Sequence, residues 1–292
     1  MRETILDELS LFLLQKGFIV KTLKSAFDIV ARDNERIILL KVLEDANSIS
    51  PEYAEQMKKV SSCLHTTLLV IANKAGELLQ NNVVYSRFGI YTVNFSTFRR
   101  CVDNNLPMLK KSKAGLTARI NAVRLRLERL NLGLSINELS KRIGVSKRMV
   151  QSYEKGDSDI TLGRANKVYN IFGGNVFQKE NLLNAKDSPY EKGSSIFARK
   201  YGRLGFDATE TSKVPFDLIA RKEKEVILTK VGDKPNPIIS HFSKLIDADR
   251  LAIFDKKKPK GIPALTKKEF LEFDEAAELI KFIKEFEEEH ED

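Results

Sequence analysis

The chain has 292 residues, 42% of them hydrophobic, two cysteines and a formal net charge of +9. It lacks the eighteen-residue apolar run of a membrane span, and the charges at Arg2, Glu3, Asp7 and Glu8 are wrong for a secretory leader. Cys63 and Cys101 make no disulfide framework, so a cytoplasmic protein is expected.

The first segment alternates helix patterns with short apolar runs at Phe18–Val20, Phe27–Ala31, Ile37–Leu43, Leu68–Ala72 and Ile90–Val93, which read as strands of an α/β domain over residues 1–107. Pro107 to Gly115 reads as a polar linker. The second segment, 108–180, is expected to be helical throughout, and a second polar linker runs from Asn184 to Ser194 with Pro189 and Gly193.

The third segment, 190–292, repeats the first. Residues 27–43 (FDIVARDNERIILLKVL) align without gaps on 216–232 (FDLIARKEKEVILTKVG), with eight of seventeen positions identical. The flanks follow. Gly17-Phe18 matches Gly205-Phe206, Leu69–Ala72 matches Leu251–Phe254, and Gly89-Ile90 with Phe98 matches Gly261-Ile262 with Phe270. A repeat of about 100 residues indicates duplicated domains rather than a solenoid.

Between Pro107 and Gly156 stand twelve lysines or arginines against Glu128, Glu138 and Glu154, which accounts for the whole excess charge. A localised basic segment is the footprint of phosphate binding. The same segment carries a motif. Val123, Leu127 and Leu130 fall at helical spacing and Gly133 stops that helix. Ser135-Ile-Asn-Glu138 is a capping box. Leu139 and Ile143 point inward, Gly144 makes a tight turn around Val145, and Ser146 caps the next helix. That helix, Lys147 to Glu154, buries Val150 and Tyr153 and ends at Gly156. Ile160, Leu162, Ala165, Val168 and Ile171 supply a fourth helix.

Leu125-x-x-x-Arg129-x-x-x-Gly133-Leu-Ser-x-x-Glu-Leu139 followed by Ile143-Gly-Val-Ser-x-x-x-Val150-x-x-Tyr-Glu-x-Gly156 resembles the Cro and phage-repressor, or XRE, type of helix-turn-helix. In that family the third helix enters the major groove, its first residues at the base edges. The resemblance implies that Ser146, Lys147, Arg148, Gln151 and Ser152 face bases, with Arg148 or Lys147 suited to guanine and Gln151 to adenine. It places Ser135, Asn137 and Lys155 on phosphates. Arg129 and Glu154 fall at the family's structural ion pair. Arg124 and Arg126 are expected to face solvent, and Arg119 with Lys110–Lys113 to form an arm along the DNA backbone.

The repeated unit runs helix, Gly-Phe strand, apolar-Asp strand, strand with a Lys, helix, strand. It resembles the restriction-endonuclease-like PD-(D/E)xK fold, whose enzymes need an Asp, a second acid and a Lys two residues on, to hold Mg²⁺ and activate water. The Asp persists as Asp28 and Asp217. The second acid does not, because Leu39 or Leu43 and Leu228 or Gly232 stand where it is required, on the strand face of Lys41 and Lys230. Asp28 with Lys41, and Asp217 with Lys230, are therefore expected to be structural ion pairs, with no catalytic residue, metal or cofactor. His65, His241 and His290 read as ordinary residues, and Cys63-x-His65 offers no metal site.

The fold class expected is multidomain: an all-α Cro-like helix-turn-helix between two degenerate α/β nuclease-like domains. The arrangement resembles an archaeal family of HTH-type transcriptional regulators. It implies a non-enzymatic, double-stranded-DNA-binding regulator acting as a homodimer, the duplicated domains supplying the dimer surface. Two alternatives are a structure-selective DNA-binding accessory protein and a nuclease whose acid has migrated to Glu8, Glu35 or Glu44.

Overall fold

The computed structural model describes residues 2–112, 115–184, 191–234 and 237–289. Lys113, Pro189 and His290, named above, lie outside them. The chain forms two compact units, one of residues 1–70 with 184–292, the other of residues 71–183. In chain order, the first unit opens with α1 (Arg2–Gln15), β1 (Ile19–Thr22), β2 (Ile29–Arg32), β3 (Ile37–Asp45), α2 (Pro51–Leu64) and the start of β4 (Thr67–Ala75). The second unit continues with β5 (Glu77–Leu78), β6 (Val83–Arg87), β7 (Ile90–Val93), α3 (Phe95–Val102), β8 (Leu109–Ser112) and β9 (Gly115–Ala118). Its helices follow: α4 (Ala122–Asn131), α5 (Ile136–Ile143), α6 (Lys147–Lys155), then β10 (Ile160–Thr161) and α7 (Leu162–Phe172). The chain returns to the first unit with α8 (Ile196–Arg203), β11 (Asp207–Glu210), β12 (Leu218–Lys222), β13 (Glu225–Val231), α9 (Pro237–Ile246), β14 (Asp249–Phe254), β15 (Ala264–Thr266), α10 (Lys267–Glu272) and α11 (Ala276–Glu288).

In the first unit α1 buries Ile5, Leu9, Phe12 and Leu13, the i, i+4, i+7, i+8 stripe of a core-facing helix. Strands β2 and β3 are apolar on both faces and buried along most of their length, as strands covered on two sides must be. Ser50 caps α2, its Oγ accepting from the Tyr53 amide, with Pro51 in the first turn.

The repeat is repeated in register as well as in sequence. β1 pairs antiparallel with β2 through Ile19↔Arg32, and β2 with β3 through Ile29↔Leu40. β11–β12 and β12–β13 pair through the matching residues, Asp207↔Arg221 and Leu218↔Thr229. Equal register puts equal side chains on equal faces. Asn94 and Thr266, aligned by the Phe98 and Phe270 match, each cap the helix that follows β7 or β15. The copies also pack reciprocally: α2 lies on β11 and β12, while α9 lies on β1 and β2. Ala26 N–H donates to Lys213 O, and Arg32 Nη1 to Leu245 O at 3.1 Å. These faces of α2 and α9 are thus covered within the chain.

The second unit departs from the sequence reading. The expected linker at Pro107–Gly115 contains β8, which pairs antiparallel with β9 and parallel with β6. β9 then pairs with β10, so the helical segment carries three short strands. Alternation in Leu109-Lys-Lys-Ser is too short and too charged to read as a strand without its partners. The core of this segment is Leu125, Leu139, Ile143, Val150, Tyr153, Ile160, Ala165 and Val168, with Val176 and Phe177 closing it.

Candidate nucleic-acid interface

Helices α5 and α6 take the two middle places of the motif, and local chemistry sets both of their ends. Ser135 Oγ accepts the Glu138 amide at 3.1 Å while Glu138 Oε2 accepts the Ser135 amide at 2.8 Å, which completes the capping box. The Glu138 carboxyl is held below its usual range by these bonds to Ser135. Gly144 ends α5 at φ 73°, a left-handed value natural to glycine; a Cβ there would also meet Lys167 Nζ at 3.2 Å. Ser146 Oγ accepts the Met149 amide, and Gly156 closes α6 at φ 81°.

Leu139, Ile143, Val150 and Tyr153 are buried, which turns the other face of α6 outward. Lys147, Arg148, Gln151 and Lys155 are exposed on it. Ser146 and Ser135 are exposed at the helix starts and Asn137 is half-buried. Ser152 is half-buried, and its Oγ lies 2.7 Å from Ser158 Oγ. Arg129 and Glu154 form the expected pair, with Nε–Oε1 at 2.5 Å and Nη2–Oε2 at 3.0 Å. Arg129 Nη1 also donates to Leu134 O at 2.8 Å, so this bidentate pair ties α4 to α6 and to the turn between α4 and α5.

Two cations of the arm expected along DNA are paired within the chain. Lys110 pairs with Glu180 at 2.6 Å, and Arg119 with Asp159 at 3.2 Å. Arg124 pairs with Glu128 one turn on. On α4 the buried positions are Leu125 and Arg129. Val123, Leu127 and Leu130, which the spacing put on one face, are 71%, 49% and 54% exposed. Five apolar side chains on ten residues satisfy more than one helical stripe, and periodicity alone does not say which is inward. Exposed Arg164 and Lys167 on α7 add cations that the sequence reading passed over.

In the first copy of the repeat, Asp28 accepts from Val42 N at 2.7 Å, Arg2 Nη2 at 2.6 Å and Lys41 Nζ at 3.3 Å. Lys41 Nζ also donates to Ser25 O and lies 5.1 Å from the centre of the Tyr53 ring. Burial lowers the Lys41 ammonium below its usual range, with Asp28 opposing. In the second copy Asp217 accepts from Val231 N at 2.7 Å and pairs with Lys230 at 2.9 Å. Each carboxylate is therefore filled by backbone and cation. Among the described residues no group of three or more His, Cys, Asp or Glu side chains could hold a metal. His65 sits at the left-handed C-cap of α2, and burial pushes the Cys63 thiol up to about 12.

Residues 2–107 match the PD-(D/E)XK superfamily domain, and residues 125–176 match the helix-turn-helix model. A protein of Archaeoglobus fulgidus bearing the name HTH-type transcriptional regulatory protein is 30% identical over 283 residues, covering 91% of each chain. Relatives with the same type of name come from Methanocaldococcus jannaschii, 29% identical over 97% of each chain, and Thermococcus kodakarensis, 27% identical over 97% of this chain and 95% of its own. No solved structure matches. Among the described residues no helix is long and apolar enough to cross a membrane. With its nuclease-like amino-terminal domain and its helix-turn-helix, the chain belongs to this archaeal family of HTH-type transcriptional regulatory proteins.

Proposed function

We propose that the protein is a sequence-specific, double-stranded-DNA-binding regulator of transcription that reads the major groove with α6. The observation that carries this is the exposed row Lys147, Arg148 and Gln151 on a helix whose opposite face is locked into the core through Val150, Tyr153 and the Arg129–Glu154 pair. A rigid helix presenting one guanine-type and one adenine-type reader is what base discrimination requires. Ser135, Asn137 and Lys155 serve as phosphate contacts and Ser146 reads or caps at the groove edge. Ser152 is the weakest member of this set, since Ser158 occupies its hydroxyl.

In this reading residues 1–107 and 190–292 are two nuclease-like domains without nuclease chemistry, flanking the DNA-binding domain at 108–180. The filled carboxylates of Asp28 and Asp217 support a role other than catalysis.

The regulator acts as a homodimer through α4. Because α2 and α9 are used within the chain, the exposed stripe Val123, Leu127 and Leu130 is the better surface for a second copy. Across a two-fold axis near Leu127 the stripe meets its own copy, an isologous apolar contact. Its area is small for a stable dimer, so pairing is expected to be weak in free solution and completed on DNA.

Selection of bound duplexes from a random pool tests both parts. The expected product is a two-fold site with half-sites about 10 bp apart. Leu127→Glu is expected to abolish cooperative binding to that site while leaving binding to one half-site intact. Recovery of no common sequence contradicts the first part; a lone half-site, or full cooperativity in the variant, contradicts the second.

A further inference from the structure

The two copies of the repeat differ at the place where a nuclease would act. In the first, the Asp28 and Lys41 side chains are 4% and 10% exposed, closed over by Arg2 and Tyr53. In the second, those of Asp217 and Lys230 are 38% and 26% exposed. Counting from the proline that opens α2 and α9, Tyr53 is replaced by Ile239, which leaves Lys230 uncovered on that side. A cavity of about 390 Å³ lies there, lined by Lys230, Lys234, Arg250 and Lys260 around the apolar side chains of Ile239 and Ile262.

Charge in this cavity is not balanced. Lys230 answers Asp217, and Arg250 answers Glu287 at 3.1 Å while also donating to Ser240 Oγ. Lys234 and Lys260 have no carboxylate partner among the described residues. The loop that carries Lys260 is also held in place. Asp233 Oδ1 accepts the amides of Asp255 and Lys256 at 2.8 and 3.0 Å, and those bonds hold its carboxyl below its usual range. The lining offers no acid, so the cavity suits an anion directly rather than through a divalent cation.

We propose that this cavity is a binding site for a small phosphate-bearing molecule, its phosphate held by Lys234 and Lys260 and its uncharged part against Ile239 and Ile262. The volume falls within the range of small-molecule sites, and lysine ammonium groups are ready phosphate donors. A DNA backbone presents its phosphates on a convex rod, which fits exposed cations better than an apolar-walled recess. For a regulator, such a site supplies an effector input on a different unit from the reading helix.

The test uses the full chain with inorganic phosphate, AMP and glucose 6-phosphate, and with adenosine and glucose as uncharged controls. Phosphorus NMR line-broadening is read for the three phosphate-bearing probes and the melting temperature for all five compounds. The phosphate-bearing probes should broaden and raise the melting temperature, and the controls should leave the melting temperature unchanged. Replacing the two exposed lysines together, Lys234→Ala with Lys260→Ala, should weaken the best probe at least tenfold with the unliganded melt unchanged. Lys268→Ala with Lys281→Ala, on exposed residues outside the cavity, should not change binding. The absence of response to all three phosphate probes overturns the proposal, as does equal weakening by both pairs of substitutions. So does a Lys234/Lys260 variant that loses only duplex-DNA affinity, which would assign these lysines to the DNA backbone.

Discussion

One sequence written twice in the same chain has produced two different polar centres. Asp28 and Asp217 begin the same strand pairing, accept the same backbone amide at the same 2.7 Å, and face the same lysine. Around the first, Arg2 and Tyr53 close the pair away from water; around the second the pair stays open to a cavity. The strand register is what the repeat shares, and the groups that cover the strands decide what the shared pair does. A buried ion pair holds its surroundings in place because removing one partner strands the other, whereas an exposed pair is screened and contributes little.

That contrast can be broken most sharply at the aspartates. Asp28→Ala leaves Lys41 buried beside Arg2 and orphans the Val42 amide, so denaturant melts should show a loss of about 3–5 kcal/mol. Asp217→Ala, at the solvent-open pair, should cost under about 1 kcal/mol in the same assay. Equal losses would mean that burial does not separate the two copies.

Between those extremes lies Asp249, where the first copy has Thr67 at the matching place on β4. Burial, followed by the nearby Glu287, pushes its carboxyl up to about 6, with Lys284 opposing. Its Oδ2 has no partner among the described residues. A raised carboxyl pKa means that ionisation works against folding. The penalty is absent below about pH 4, where both folded and unfolded forms are protonated, and full above about pH 6. Asp249→Asn should therefore stabilise the protein by about 1–2 kcal/mol at pH 7.5, after discounting for solvent screening, and by nothing at pH 4. A gain independent of pH would point to packing instead. The smallest expected effect is on chemistry. With Mg²⁺ or Mn²⁺, neither copy should cut duplexes, flaps or junctions, because each offers one carboxylate and that carboxylate is already filled. Cleavage that disappears in Asp28→Ala would restore an enzymatic reading.

The repeat, the helix-turn-helix and both ion pairs were legible in the sequence because each rests on local rules: register by alternation, helix ends by Ser and Gly, charge by its partner at a fixed spacing. What was not legible depends on distant neighbours. Leu109-Lys-Lys-Ser becomes a strand only because β6 and β9 flank it. The stripe of Val123, Leu127 and Leu130 reads as core until Leu125 and Arg129 take the inward places. That Ser158 comes to hydrogen-bonding distance of Ser152 follows from the path of the loop and not from any local spacing. The cations at Lys234, Arg250 and Lys260 escaped notice for a different reason: the acidic carboxy-terminal stretch cancels them in any sum over the chain.

The central claim is that α6 reads bases through Arg148, and a paired affinity measurement tests it most directly. Binding of the Arg148→Ala protein is compared with the unmodified protein on the selected site and on a random duplex, at one fixed salt concentration. A bidentate base contact contributes about 1–3 kcal/mol of discrimination, so the account predicts a loss of that size on the selected site and little loss on the random duplex. An equal loss on both would make Arg148 a phosphate contact and contradict the claim that it reads the sequence.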